Sequence, residues 1–96
     1  MNYVVKLIPE AEDTFNELII QLRQTWGDGF VRKFEDRVLV CLRTISQNPY
    51  IYPLAEEMLE IRKCVLHKNC SMFYTIEQEV VFVVCFWDNR QVPIIR

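Results

Sequence analysis

Eight consecutive residues, VVFVVCFW at positions 80 to 87, are apolar without a break. The run is far short of the roughly 20 residues that a membrane-spanning helix needs. Laid out as a strand, it points apolar side chains to both faces, so neither face suits water. It must therefore lie inside a sheet, with a strand on each side and cover over its faces. The rest of the 96 residues has to supply those neighbours.

Two of them come just before it. Residues 60 to 67 and 69 to 77 read as strands, with Met72, Tyr74 and Ile76 on one face of the second. His67-Lys68-Asn69 and Glu77-Gln78-Glu79 are the polar interruptions, short enough to be hairpin turns. The other neighbour is the opening NYVVKLI, where Tyr3, Val5 and Leu7 alternate with Asn2, Val4 and Lys6 before Pro9 stops the strand.

Between the first strand and the last three lie two stretches of helical period. Pro9 suits the first position of a helix, and Glu10, Glu12 and Asp13 place negative charge at the positive end of its dipole. Ala11, Phe15, Leu18, Ile19, Leu22 and Trp26 form one face, with Trp26 as a lid at its end. Gly27-Asp28-Gly29 breaks the pattern, and both glycines are expected to adopt turn conformations. A second face runs through Phe30, Phe34, Val38, Cys41, Leu42 and Ile45 until Asn48-Pro49 ends it. So short a loop predicts an antiparallel helical hairpin. A crossing, PYIYPLAEEM, then leads back to the sheet. The expectation is one α+β domain over residues 1–96, ordered β-α-α-β-β-β, with a twisted, mainly antiparallel sheet and a two-helix hairpin packed on one face.

Composition narrows the function. The chain is 51% hydrophobic and 25% charged with 2 Gly and 4 Pro, the balance of a folded domain and not of a disordered one. Its net charge is −2, made of −3 over residues 1 to 59 and +1 over the rest, which is little positive field for gripping a polyanion. No basic segment with a following apolar run opens the chain, so a soluble, cytoplasmic protein is expected. Cys41, Cys64, Cys70 and Cys85 contain no C-x-x-C pair and have one histidine among them. That spacing does not suit zinc, and the four read as small buried hydrophobes in preference to disulfides.

Candidate chemistry is sparse. His67, the one imidazole, suits proton transfer but falls in a turn with no nucleophile beside it in sequence. Arg62, Lys63, Lys68 and Arg90 would hold a phosphate if the hairpins bring them to one end of the sheet, or else are a solvated edge that discourages aggregation. Asp88 sits where an ion pair with Arg90 would form, and Trp87 would cap the strand end. Tyr50, Tyr52 and Tyr74 suggest base stacking, although core packing is the better reading of Tyr74. With no glycine-rich phosphate loop, carboxylate pair or Ser-His-Asp pattern, no cofactor and no metal are expected.

The order of elements, with VVKLIPEAEDTF opening the helices, NPYIYP after them, IRKCVLHKNCSMFYTI across the middle hairpin and FWDNRQVP after the apolar run, resembles the RelE/ParE superfamily of toxins from bacterial type II toxin–antitoxin (plasmid stabilization) systems. The resemblance spans essentially the whole chain. It implies a toxin held inactive by a cognate antitoxin that wraps its helices and sheet, as a homodimer or a toxin–antitoxin hetero-oligomer. RelE-like members are ribosome-dependent endoribonucleases that cut mRNA, whereas ParE-like members bind DNA gyrase and cut nothing. In the nuclease branch Arg62 would match a basic strand position and Arg90 the late arginine, with His67 or Asp88 handling a proton. Cys64 stands where a second base often occurs, and Ser71 stands near the phosphate-binding arginine, which a neutral hydroxyl does not replace. No Tyr or His-Tyr follows Arg90. These departures and the net charge favour the ParE-like reading, in which no catalytic residue is assigned, with an mRNA interferase as the alternative.

Overall fold

The computed structural model describes residues 2–68 and 70–88. Five strands, β1 (Val4–Leu7), β2 (Leu54–Glu56), β3 (Ile61–His67), β4 (Cys70–Glu77) and β5 (Val80–Asp88), and one helix, α1 (Pro9–Gln47), make an α+β fold. The sheet order is β1-β5-β4-β3-β2, so the apolar run is β5 and has a strand on each side. β1 pairs with it in parallel, from Val4 opposite Val80 to Leu7 opposite Val83. The β3–β4 and β4–β5 pairs are antiparallel, closed by turns after His67 and after Glu77, where Gln78 takes a positive φ of 55°.

β2 was hidden inside the crossing. Its three residues pair with β3, Leu54 opposite Arg62, with an irregularity before Glu56. So short an edge strand has no period long enough to read, and Pro53 just before it looks like loop.

The helical region departs from the expected pair with a three-residue loop. It is one helix over Pro9–Gln47, in which Gly27 alone leaves helical geometry, at φ 85° and ψ 177°. Gly29 is helical and supplies no special angle. Thirty-nine straight helical residues would span about 58 Å. The molecule's longest dimension is 38 Å, so α1 bends sharply at Gly27. Both of its ends are tied to β1 and β5: the Ile8 N–H donates to the Val83 carbonyl at 3.2 Å, and the Tyr3 N–H to the Ser46 carbonyl at 2.6 Å.

The two arms of α1 cover one face of the sheet. Ala11, Leu18, Ile19 and Leu22 from the first arm and Val31, Phe34, Val38, Cys41 and Ile45 from the second join Cys64, Leu66, Met72, Tyr74, Val81, Val83 and Phe86 in the core. Trp26 stays half exposed and stacks on Phe30 at 5.7 Å between ring centroids. All four cysteines are buried, as expected, and the preference for thiols over disulfides is corrected in one respect: Cys41 on α1 and Cys64 on β3 are paired as a disulfide across the helix–sheet interface, while Cys70 and Cys85 lie outside that pair. Residues 23 apart with no shared motif carry no sign of that pairing, which the packing of the second arm on β3 creates.

Gly27 offers a local test. Its backbone lies in a region that is essentially glycine's alone, so Gly27→Ala is expected to cost about 1–3 kcal/mol. No atom lies within 4 Å of an added Cβ at either glycine, so the effect is backbone strain and not a clash. Gly29→Ala, in helical backbone, is expected to stabilise by about 0.5–1 kcal/mol. Urea denaturation of the two variants should move in opposite directions; shifts of the same sign would refute the assignment of the bend to Gly27.

Candidate functional site

Arg62 opens β3 and is engaged with the crossing. Its Nη1 donates to the Tyr52 carbonyl at 2.6 Å and reaches the Tyr50 carbonyl at 3.4 Å, with the guanidinium 5.1 Å from the centre of the Tyr50 ring. Directly across the sheet, Tyr74 is fully buried and donates its hydroxyl to the Pro49 carbonyl at 2.7 Å. The two side chains therefore hold the 48–53 segment against the sheet by three backbone carbonyls. Loops have to satisfy their carbonyls somewhere, and here they do so on side chains.

Burial pushes the Tyr74 phenol up to about 12, against the opposing pull of the Arg62 charge. Burial likewise pushes the Cys85 thiol up to about 11, with Glu10 adding in the same direction. Both groups keep their protons at neutral pH. Each is an acid whose folded pKa lies above its unfolded value, so its stabilising effect is complete below the unfolded pKa and is lost as pH rises through the folded one. Stability should be level up to about pH 9 and then fall through about pH 12, by on the order of 2 kcal/mol per group. Urea midpoints across that range check this, and Tyr74→Phe should remove part of the slope.

The other candidates stand elsewhere. His67 ends β3, five residues beyond Arg62, a separation of roughly 17 Å along a strand. It shares that end with Asp88, since His67 is opposite Cys70 and Cys70 is opposite Asp88, two strand spacings or about 10 Å away. Lys68 lies in the turn at this same end. Lys63 sits beside Arg62, its ammonium 6.0 Å from the centre of the Phe73 ring. The expected grouping of Arg62, Lys63 and Lys68 at one end of the sheet is thus divided by the length of β3. Asp88 is buried and bounds a small cavity with Trp87, Glu17 and Gln21. Arg90 lies outside the described residues. Ser71 is fully buried between Val65 and Trp87.

An apolar concavity lies on the helical side. A groove of about 400 Å³ is bounded by Phe15 on the first arm, Val38, Leu39 and Leu42 on the second, and Leu7 and Phe86 of the sheet, with Glu35 and Asp36 also lining it. Leu39 is 52% exposed. Neither it nor Val40 belongs to the face that packs on the sheet, and apolar residues off the main stripe are the signal in the sequence that could have marked this groove. A second apolar patch follows the edge strand: Ile51, Leu54, Leu59 and Met58, the last 92% exposed.

Among the described residues no group of His, Cys, Asp or Glu is placed to hold a metal ion. None of their helices is long and apolar enough to cross a membrane.

No protein-family model matches this sequence, and no curated protein does. Solved structures do. A chain of the chromosomal ParDE toxin–antitoxin system from P. aeruginosa superposes with a TM-score of 0.74 at 10% identity, over 90% of this chain and 95% of that one. A copper-bound mutant toxin from Helicobacter pylori superposes with a TM-score of 0.61 at 13% identity, over 95% and 99%. The fold is the RelE/ParE-like one. At such identities the likeness is one of fold, and function has to be argued from the sites.

Proposed function

We propose that this chain is the toxin of a type II toxin–antitoxin pair, that it acts in the cytoplasm by binding a target such as DNA gyrase, and that a cognate antitoxin neutralises it in a hetero-oligomer. The observation that carries the binding reading over the cutting one is the dispersal of the basic set. Arg62 turns its Nη1 to the Tyr50 and Tyr52 carbonyls, His67 stands at the far end of the same strand, and Ser71 is buried where the nuclease branch has an arginine. A phosphorane would need two or more cations within reach of one point, and among the described residues Arg62 and His67 stand most of a strand's length apart.

The antitoxin's place in this reading is the groove between the arms of α1. It is apolar, open, and edged by two carboxylates, the form of surface that takes one face of an amphipathic helix.

Inducing the chain alone in a bacterial host tests the reading. The expected result is arrested growth with loss of DNA supercoiling and intact mRNA, reversed by co-expression of the antitoxin. Codon-positioned cuts in mRNA on ribosomes, abolished by Arg62→Ala, would establish the mRNA interferase instead. Unimpaired growth would remove both.

A further inference from the structure

The second arm of α1 sorts its charges to two sides. Glu35 and Asp36 line the groove between the arms, whereas Lys33 and Arg37, one helical turn apart, face the end of β3. There, with Phe30, Phe34, Leu66 and His67, they bound a separate cavity of about 150 Å³. Its lining carries two cationic side chains, Lys33 and Arg37, and no acidic one, in a chain whose net charge is −2. Concentrating positive charge against that background implies an anionic occupant.

The geometry adds an aromatic component. Arg37 donates one N–H to the Leu66 carbonyl at 3.1 Å, which fixes the guanidinium while engaging one of its five donors. His67 meets Phe30 edge-on at 5.2 Å, and Phe30 stacks on Trp26 at 5.7 Å, so a strip of three rings leads from the cavity to the surface. Trp26 ends the strip 53% exposed, with indole surface open to a flat ligand. Phe30 and Phe34 make the cavity wall apolar, which strengthens a charge-assisted hydrogen bond formed inside it.

We propose that this cavity binds a nucleoside phosphate, the phosphate between Lys33 and Arg37 and the base against Trp26. Lysine supplies a point charge and arginine a planar fork of donors for the phosphate oxygens. The cavity is smaller than the roughly 300 Å³ at which whole-ligand pockets begin, so it takes the phosphate end and leaves the base outside, where Trp26 is. Base–aromatic stacking is indifferent to whether the nucleotide is free or part of a single strand. The site lies across the arm from the groove given to the antitoxin and does not depend on the toxin reading.

Amide shifts in NMR spectra of the whole chain, titrated separately with adenosine 5′-monophosphate, adenosine, inorganic phosphate and oligo(A), test the proposal. Adenosine monophosphate is expected to move Lys33, Leu66 and His67 saturably, with adenosine and inorganic phosphate each binding about tenfold more weakly. Lys33→Gln should weaken adenosine monophosphate about tenfold. Lys33 is exposed, so an otherwise unchanged spectrum shows that this variant folds. Trp26→Ala should weaken adenosine monophosphate and leave inorganic phosphate as it was. Tighter binding of oligo(A) through the same residues would identify the nucleotide as one within a single strand, and tighter binding of the monophosphate as a free one; both uphold the site. The proposal is overturned if none of these amides moves, if inorganic phosphate binds as tightly as the monophosphate, or if both variants bind as the parent does.

Discussion

Tyr74→Ala is expected to destabilise the chain by about 3–5 kcal/mol, the range for removing a large aromatic side chain from a packed core. Tyr74 has no exposed surface and belongs to the single core that joins the sheet to both arms of α1. Its loss leaves a cavity beneath the helix and strips the Pro49 carbonyl of its donor at 2.7 Å. Domains of this size are held by only about 5–15 kcal/mol, so the variant stands near the threshold of unfolding at growth temperature. Its thermal midpoint should fall by roughly 15–30 °C.

Tyr74→Phe separates the two contributions. The ring stays and the hydroxyl goes, so the cost should be about 1–2 kcal/mol, the penalty for a carbonyl left unpaired in a buried place. Arg62 still ties Tyr50 and Tyr52, so the crossing remains attached at its far side. Urea denaturation of both variants measures this. Losses below about 1 kcal/mol for both would show that Tyr74 does not hold the crossing to the core, whereas equal losses would assign the whole effect to the hydroxyl on the Pro49 carbonyl and none to the ring.

Tyr74 also illustrates what could be read in the sequence. Its alternation with Met72 and Ile76 placed it on the core face, and the unbroken apolar run placed β5 between two strands; strand period and apolar continuity are local signals. The turns after His67 and Glu77 were legible for the same reason. What was not legible depends on distant residues meeting. Arg62 and Lys68 look adjacent as text, yet a strand between them puts them at opposite ends of the sheet. The Cys41–Cys64 pair and the Tyr74–Pro49 hydrogen bond likewise join segments with no common period. The bend at Gly27 was anticipated, but its width was not, because glycine permits both a loop and a one-residue break and only packing chooses between them. The basic cavity at the end of β3 was half visible: His67 stands out as the one imidazole, and its convergence with Lys33 and Arg37 needed the fold.

On the proposed toxin reading, Leu39→Arg is expected to abolish neutralisation by a cognate antitoxin while leaving the fold and the proposed toxicity intact. Leu39 is 52% exposed, so changing it removes little buried area, and stability should shift by less than about 0.5 kcal/mol. Within the groove, however, it stands with Phe15, Leu42 and Phe86 where an apolar anchor of a partner helix would seat. An arginine there fills that volume, and Glu35, four residues earlier, favours holding its guanidinium at the groove. A bound apolar anchor would then have to displace a charge and bury what remains. Central positions of this sort are worth 2 kcal/mol or more, so affinity for the antitoxin should drop at least about thirtyfold. Asp36→Asn, at the margin, should act differently, changing the association rate and its salt dependence more than the dissociation rate. Isothermal titration of the variants against the antitoxin, with stopped-flow kinetics at two salt concentrations and co-induction in cells, measures both effects. Undiminished affinity in Leu39→Arg, with an unchanged thermal midpoint, would remove the groove as the docking site and turn attention to the apolar patch of Ile51, Leu54 and Met58 along the β2 edge, where an extended segment could add a strand.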